Sequence, residues 1–158
     1  MKRTEPTIKN LPKQGFCGEC DNHVDFHVEL FKNKVHNVKG IEIISDEYVA
    51  VCNHCGNHLW VDAVEAYNDI IIFDEYKKKV GLLTTEEIKA IRKKRGMSQR
   101  ELAKFLSIGE KDIARYENGA IQTRAIDLMI RMVDDDQTFK KMSQVVAKVK
   151  LIASKVTS

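Results

Sequence analysis

Ser98 to Gly119 read SQRELAKFLSIGEKDIARYENG, and this stretch decides how the C-terminal half of the chain folds. Ser98 with Glu101 three residues later is a capping box, which predicts the start of a helix. Ser107-Ile108-Gly109 predicts a tight turn, and Glu110 to Asn118 a second short helix ended by glycine. The apolar positions expected to hold the two helices together are Leu102, Ala103, Leu106, Ile108 and Ile113. Two short helices joined by a tight turn are typical of a helix-turn-helix.

The polar face of this helix pair has side chains suited to DNA. The residues expected to face outward are Gln99, Arg100, Glu110, Lys111, Ala114 and Arg115. Arg115 can bond to O6 and N7 of guanine or grip a phosphate. Gln99 and the amides at the start of its helix can bind a phosphate. Asp112 is an acid close to this face and suits a helix N-terminus. The alternative is a plain helical bundle with a polar surface.

Further helices are predicted on both sides of the pair. Thr84-Thr85-Glu86-Glu87 is a second capping box and Gly96 ends its helix, while Thr123 caps another helix. After residue 134 one more helix is expected to run to the end of the chain. Its apolar positions, in steps of three and four, are Phe139, Met142, Val146, Val149, Ala153 and Val156. This spacing fits a coiled-coil seam between two copies, or a face packed on the protein's own bundle.

Charge is unevenly distributed along the chain. The net charge is +3, but residues 84–158 carry 16 lysines and arginines against 10 acids, whereas residues 1–62 carry seven against nine. Any nucleic-acid contact is therefore expected in the C-terminal half, although a basic surface can also serve solubility alone. The run Arg92-Lys93-Lys94-Arg95 fits phosphate contacts and the negative end of a helix dipole equally well.

Four cysteines form two CxxC pairs, Cys17/Cys20 and Cys52/Cys55. Each pair places two thiolates on one side of a tight loop, and a β-hairpin can bring two such loops together as a four-thiolate zinc site. A redox pair or an iron–sulfur cluster is the alternative. Four thiolates leave no open position for water, so we expect a structural Zn²⁺ and no enzyme activity. His54 and His58 are expected at the surface beside the metal.

The remaining segments complete an α+β prediction. Residues 1–15 are expected to be a flexible tail, and residues 16–80 a small zinc-bound antiparallel β domain with a linker helix at 62–80. The strands are expected near His23–Phe31 and Ile41–Val51, with turn residues at Asn33 and Gly40. Residues 81–134 form the helix-turn-helix domain and 135–158 the extra C-terminal helix, a possible dimer seam.

No apolar run approaches the length that a bilayer span needs, and residues 1–15 lack the apolar core of a secretory signal. We therefore expect a cytoplasmic protein with no membrane contact. There, thiols stay reduced and cysteines more often bind metal than form disulfides.

Residues 98–119, ending ARYENG, resemble the phage-repressor or Xre-type helix-turn-helix, a lambda-repressor-like fold. Preceded by CxxC…CxxC, they resemble the MqsA-like type II antitoxins, which join a YgiT-type zinc finger to such a helix-turn-helix. The resemblance covers roughly residues 16–133. It implies that the four cysteines bind zinc and that Arg115 reads a base. MqsA itself, the member after which the family is named, has asparagine four residues before that arginine, whereas this chain has Lys111, so a different operator is expected.

The resemblance also implies partners. Members of this family use the zinc domain to neutralise a protein toxin, and they repress their own operon as a homodimer on a palindromic double-stranded DNA operator. We therefore expect an antitoxin and repressor. The alternative is a stand-alone phage or mobile-element transcriptional regulator that has no toxin partner.

Overall fold

The computed structural model describes residues 7–156, and it confirms the α+β prediction, with four strands followed by six helices. The strands are β1 Gln14–Cys17, β2 Asn22–Val38, β3 Ile41–Cys52 and β4 His58–Leu59. The helices are α1 Asp62–Val80, α2 Thr85–Lys94, α3 Gln99–Phe105, α4 Asp112–Glu117, α5 Arg124–Asp134 and α6 Asp136–Val156. None of the helices described combines the length and the apolar character needed to cross a membrane.

The chain divides into two compact units within α1, between Tyr76 and Lys77. We call residues 7–76 the β unit and residues 77–156 the helical unit. The expected boundary after residue 80 lies at the end of α1, where Gly81 has a φ of +76° that stops the helix.

The β unit is one antiparallel sheet in the order β1-β2-β3-β4. A two-residue loop, Lys39-Gly40, joins β2 to β3, and both residues have positive φ, 50° and 82°, as a type I′ turn requires. Strand β2 is longer than predicted because Asn33 does not reverse the chain. Asn33 has a φ of 55° and lies where the pairing with β3 shifts register, and its N–H donates to the carboxylate of Asp46 at 3.2 Å. The predicted turn is thus an irregularity inside a long hairpin.

One face of the sheet buries a small apolar core against α1. The fully or nearly buried apolar side chains here are Ile8, Ala50, Leu59, Val61 and Val64, together with Cys17 and Cys52. The burial of Ile8 and the start of β1 at Gln14 differ from the flexible tail predicted for residues 1–15, of which residues 1–6 lie outside those described. Of the two large apolar side chains between residues 7 and 15, Ile8 enters the core and Leu11 stays exposed.

The helical unit is built on the predicted helix ends. Thr84 and Ser98 each accept from the backbone three residues on, and Glu87 and Glu101 return the hydrogen bond, so both capping boxes are present. Thr123 caps α5 in the same way. The core consists of Leu83, Ile88, Ile91, Leu102, Ala103, Leu106, Ile113, Tyr116, Ile130 and Val133. Helix α4 begins at Asp112, two residues later than predicted, because Glu110 and Lys111 belong to the preceding turn.

Buried polar side chains brace this unit, and the sequence did not predict them. Lys77 in the last turn of α1 is fully buried and donates to the hydroxyl of Thr85 at 3.2 Å. Asp127, 2% exposed, accepts from the backbone N–H of Leu83 at 2.7 Å and from Arg131 at 2.8 Å. Gln122 donates both to Asp127 and to the carbonyl of Leu83, at 3.0 and 2.7 Å.

Helix α6 differs along its length. Phe139 and Met142 pack against the core of the helical unit, and Phe139 also stacks on Phe105 and under the guanidinium of Arg95. Beyond them the apolar side chains are exposed, at Val145, Val149, Leu151, Ile152 and Val156. The first part of the predicted seam therefore packs on the protein's own bundle, and the second part faces outward.

Candidate functional site

The four cysteines meet at one end of the sheet. Cys17 is the last residue of β1 and Cys52 the last residue of β3. Both strands run antiparallel to β2 between them, so the two CxxC loops leave the same end of the sheet. All four Sγ atoms lie within 4.8 Å of one another, with 3.5 Å between Cys17 and Cys55 and 3.9 Å between Cys20 and Cys52. The predicted ligand set is thus brought together as a group that could hold a metal ion.

The two loops reach this geometry by the same backbone turn. Gly56 follows the second pair with a φ of +77°, and Asp21 follows the first with a φ of +47°. A left-handed residue directly after the second cysteine bends the chain around the thiolates, and glycine or a short polar side chain adopts it at low cost. Gly56 closes its turn by donating its N–H to the carbonyl of Cys52 at 3.0 Å.

The cysteines of the cluster differ in how easily they lose a proton. The backbone N–H groups of Cys55 and His54 donate to Sγ of Cys52, at 3.4 and 3.3 Å, and lower its pKa to about 6 against the cost of burial. The hydrogen bond with Cys55, together with burial, raises the pKa of Cys20 to about 12. Four thiolates this close repel one another, and a bound cation removes that repulsion and takes all four as ligands.

The histidines lie around the cluster without joining it. His54 and His58 are exposed, as predicted, and the ring of His58 lies edge-on to Phe31 with 5.7 Å between centroids. His27 contacts the Asn53 side chain through Nδ1 at 2.6 Å and Glu29 through Nε2 at 2.9 Å. These two contacts, the Asn53 one foremost, raise the pKa of His27. His27 thereby links β2 to the second CxxC loop.

The second candidate site is the polar face of α3 and α4. Ala103 and Ile113 are fully buried where the two helices meet, and Ser107, with a φ of +56°, makes the turn between them. Outside this contact Arg100, Lys111 and Arg115 are exposed, Ala114 is half-buried and Glu110 lies exposed in the turn. Lys104, one turn after Arg100 and 59% exposed, belongs to the same face but was not predicted from the sequence.

The side chain of Gln99 is hydrogen-bonded to another side chain of the protein. Its side-chain amide donates to Glu117 at 2.8 Å, and Glu117 also takes two hydrogen bonds from Arg92. Gln99 therefore connects the start of α3 to the end of α4, and the phosphate contact predicted for its side chain would require this bond to break. Arg92, predicted to contact phosphate or to serve its helix end, instead pairs with Glu117 and the carbonyl of Met97.

The acids of this face are paired with its cations. Glu110 lies 3.1 Å from Arg100 and 3.7 Å from Lys104. Asp112 lies 3.3 Å from Arg115 and also accepts from the N–H of Gly109 at 3.1 Å, which orders the turn as the sequence predicted for a helix start.

Comparison with known proteins agrees with this arrangement. Residues 13–139, about four fifths of the chain, match the family described as the antitoxin component of the bacterial toxin–antitoxin system, MqsA. The chain belongs to the MqsA antitoxin family. The match begins one residue before β1 and ends in the first turn of α6, so it contains both the cysteine cluster and the helix-turn-helix. A search of curated proteins found no match to the chain.

Membership of the MqsA family implies a toxin as partner. The matched residues include every member of the cysteine cluster and every side chain predicted for the DNA face. Most of α6, including its exposed apolar stretch from Val145 onward, lies after the matched residues.

Proposed function

We propose that this chain is the DNA-binding antitoxin of a type II toxin–antitoxin system: its β unit binds the toxin, and its helical unit represses an operator. The observation that carries the proposal is the family match, which runs through both units without a break. A fold with only one of these units would support a metal-binding module or a plain regulator instead.

We propose zinc as the metal and a structural role for it. Zinc–sulfur bonds of about 2.3 Å in a tetrahedron separate the sulfur atoms by about 3.8 Å. The Sγ atoms of Cys17 and Cys55, 3.5 Å apart, and of Cys20 and Cys52, 3.9 Å apart, are close to that spacing. With four thiolates the metal has no free position for substrate, so it would brace two loops of a unit whose apolar core is small. A four-thiolate site requires reduced cysteines, the state that thiols keep in the cytoplasm, so we propose a cytoplasmic location.

DNA binding is proposed for the α3–α4 face. A recognition helix must present side chains to base edges while the preceding helix contacts phosphates. Arg115, 67% exposed, can bond to a guanine, while Arg100 and Lys104 can neutralise phosphates. Lys111 stands one turn before Arg115 on the same side and would read a neighbouring base.

We propose that two copies bind a palindromic operator through contact between their α6 helices. Val145, Val149, Ile152 and Val156 are all more than half exposed, and their steps of four, three and four match a coiled-coil seam. In that frame Lys141, Lys148 and Lys155 flank the seam on one side, with Val146 and Ala153 on the other. If the two helices pair in parallel, the lysine side chains of one copy lie against Val146 and Ala153 of the other. If they pair antiparallel, the lysines of the two copies lie against each other and repel.

A charge inside the seam tests this dimer. Val149→Lys is expected to yield a monomer by light scattering, and the control Lys150→Ala is expected to remain a dimer.

The decisive experiment is co-expression with the neighbouring genes of the native genome. One small neighbour should arrest growth alone and be harmless with this chain, and the two proteins should co-purify. Because Trp60 is the chain's single tryptophan and is 75% exposed in the β unit, toxin binding should alter its fluorescence. If expression of every neighbouring gene is harmless and the chain still represses its own promoter, the protein is a stand-alone regulator instead.

A further inference from the structure

Glu110 lies in the turn before α4 and bridges the two cations of α3. Its Oε2 atom is 3.1 Å from Nε of Arg100, and its Oε1 atom is 3.3 Å from Nη2 of Arg100 and 3.7 Å from Nζ of Lys104. All three side chains are more than half exposed. Ion pairs so exposed are weak and exchange readily, so the arrangement can open when another anion arrives.

DNA is such an anion, and its arrival separates Glu110 from its partners. If Arg100 and Lys104 turn to phosphates, the carboxylate of Glu110 is left beside the DNA backbone without its cations. Asp112 differs from Glu110, because its carboxylate also accepts a hydrogen bond from the backbone N–H of Gly109 at 3.1 Å. That bond remains if Arg115 turns away to DNA. A carboxylate has only acceptor atoms, so on DNA Glu110 can be satisfied only by a donor.

The major groove presents two amino donors, N4 of cytosine and N6 of adenine, whereas guanine presents only acceptors there. Adenine carries the acceptor N7 beside its N6, which repels a carboxylate, so the N4 amino group of cytosine suits Glu110 better. We propose that Glu110 determines sequence specificity: it exchanges its two cations for a cytosine amino group on the correct site and opposes binding wherever that donor is missing. This inference rests on the proposed DNA-binding function and adds a residue that discriminates between sequences.

The test compares the full-length, metal-loaded chain with its Glu110→Gln variant. Binding to a random-sequence duplex is followed by fluorescence anisotropy as salt rises, and a randomised duplex library is selected with each protein. Glu86→Gln is the matched control, because it removes the same charge from an exposed acid of α2 that pairs with Lys89 at 3.5 Å.

We expect Glu110→Gln to bind the random duplex about threefold to tenfold more tightly than wild type at low salt. The slope of its affinity against salt concentration should steepen by about one counterion. In wild type, the Glu110 carboxylate takes up a cation when Arg100 leaves it, which offsets one of the counterions released from the DNA; the variant has no such carboxylate. The wild-type library should contain a cytosine at one position of each half-site, and the variant library should lose that preference.

Two results would overturn the inference alone: a Glu110→Gln variant that binds the random duplex no more tightly than Glu86→Gln, or a wild-type sequence preference that the variant retains unchanged. If the wild-type protein selects no sequence and binds no duplex at low salt, the proposed DNA-binding function fails and this inference fails with it.

Discussion

Arg92 of α2 holds Glu117 of α4 with two hydrogen bonds, Nε to Oε1 at 2.5 Å and Nη2 to Oε2 at 2.9 Å. The Glu117 side chain is only 3% exposed, and the Arg92 side chain 13%. Gln99 adds a third hydrogen bond, so one carboxylate connects the three helices α2, α3 and α4. The orientation of α4, the proposed recognition helix, therefore depends on a largely buried charge pair between α4 and α2.

Breaking this pair should destabilise the helical unit. Glu117→Ala leaves Arg92 buried without its partner, and we expect the free energy of unfolding to fall by about 3 kcal/mol. Urea denaturation followed by circular dichroism measures this, with Glu86→Ala on the surface as control. A change no larger than the control's would show that Arg92 finds equivalent partners elsewhere.

Acid should weaken the same unit through Glu117 and Asp127. Burial alone would raise the pKa of each carboxyl, but the hydrogen bonds, from Arg92 and Gln99 to Glu117 and from Arg131 and Leu83 to Asp127, lower both pKa values below normal. Their stabilisation is therefore complete above the ordinary values of 4.5 and 3.8, and it is lost as pH falls through the lowered values.

The measurement is the free energy of unfolding of the full chain between about pH 6 and pH 3. Asp127→Asn and Glu117→Gln should each be less stable than wild type near neutral pH and lose less stability on acidification. Any effect of thiol protonation on the β unit is shared with wild type and cancels. Parallel pH curves for wild type and variants would contradict the assignment.

Removing one thiolate should release the metal. Cys52→Ser is expected to lower the metal content from about one ion per chain toward zero and to destabilise the β unit, because a structural zinc contributes to folding directly. Elemental analysis of the purified protein tests this. The matched variant His54→Ala/His58→Ala should retain its metal, and loss of metal there would make a histidine a ligand.

Truncating Arg115 should reduce sequence-specific DNA binding. Arg115→Ala is expected to cost about 1–3 kcal/mol on the selected operator and to relax base preference at one position of each half-site. Lys104→Ala is a useful contrast, since loss of a phosphate contact should weaken all sequences alike and reduce the salt slope by about one. Unchanged operator binding by Arg115→Ala would mean that another residue reads the base.

The features that could be predicted from the sequence depend on residues close together in the chain. Both capping boxes involve residues three apart, and each CxxC loop contains its own turn residue. The starts of α2, α3 and α5 and the two CxxC pairs were predicted because local geometry alone specifies them. Strand pairing is what brings the two loops together, across the 38-residue separation between Cys17 and Cys55. Asn33 is the instructive local error: its residue type suits a turn or a bulge equally, and only pairing with β3 selects the bulge.

The amino-acid sequence by itself determined the order of the two units, the two CxxC loops and the helix-turn-helix, because short-range spacing and capping specify them. Only the tertiary structure decided which polar groups are available. Glu117 lies 25 residues from Arg92, and Asp127 lies 44 residues from Leu83. Contacts across such separations arise from packing of the whole unit, which pairs Gln99 and Glu110 within the protein and divides α6 into a packed half and an exposed half.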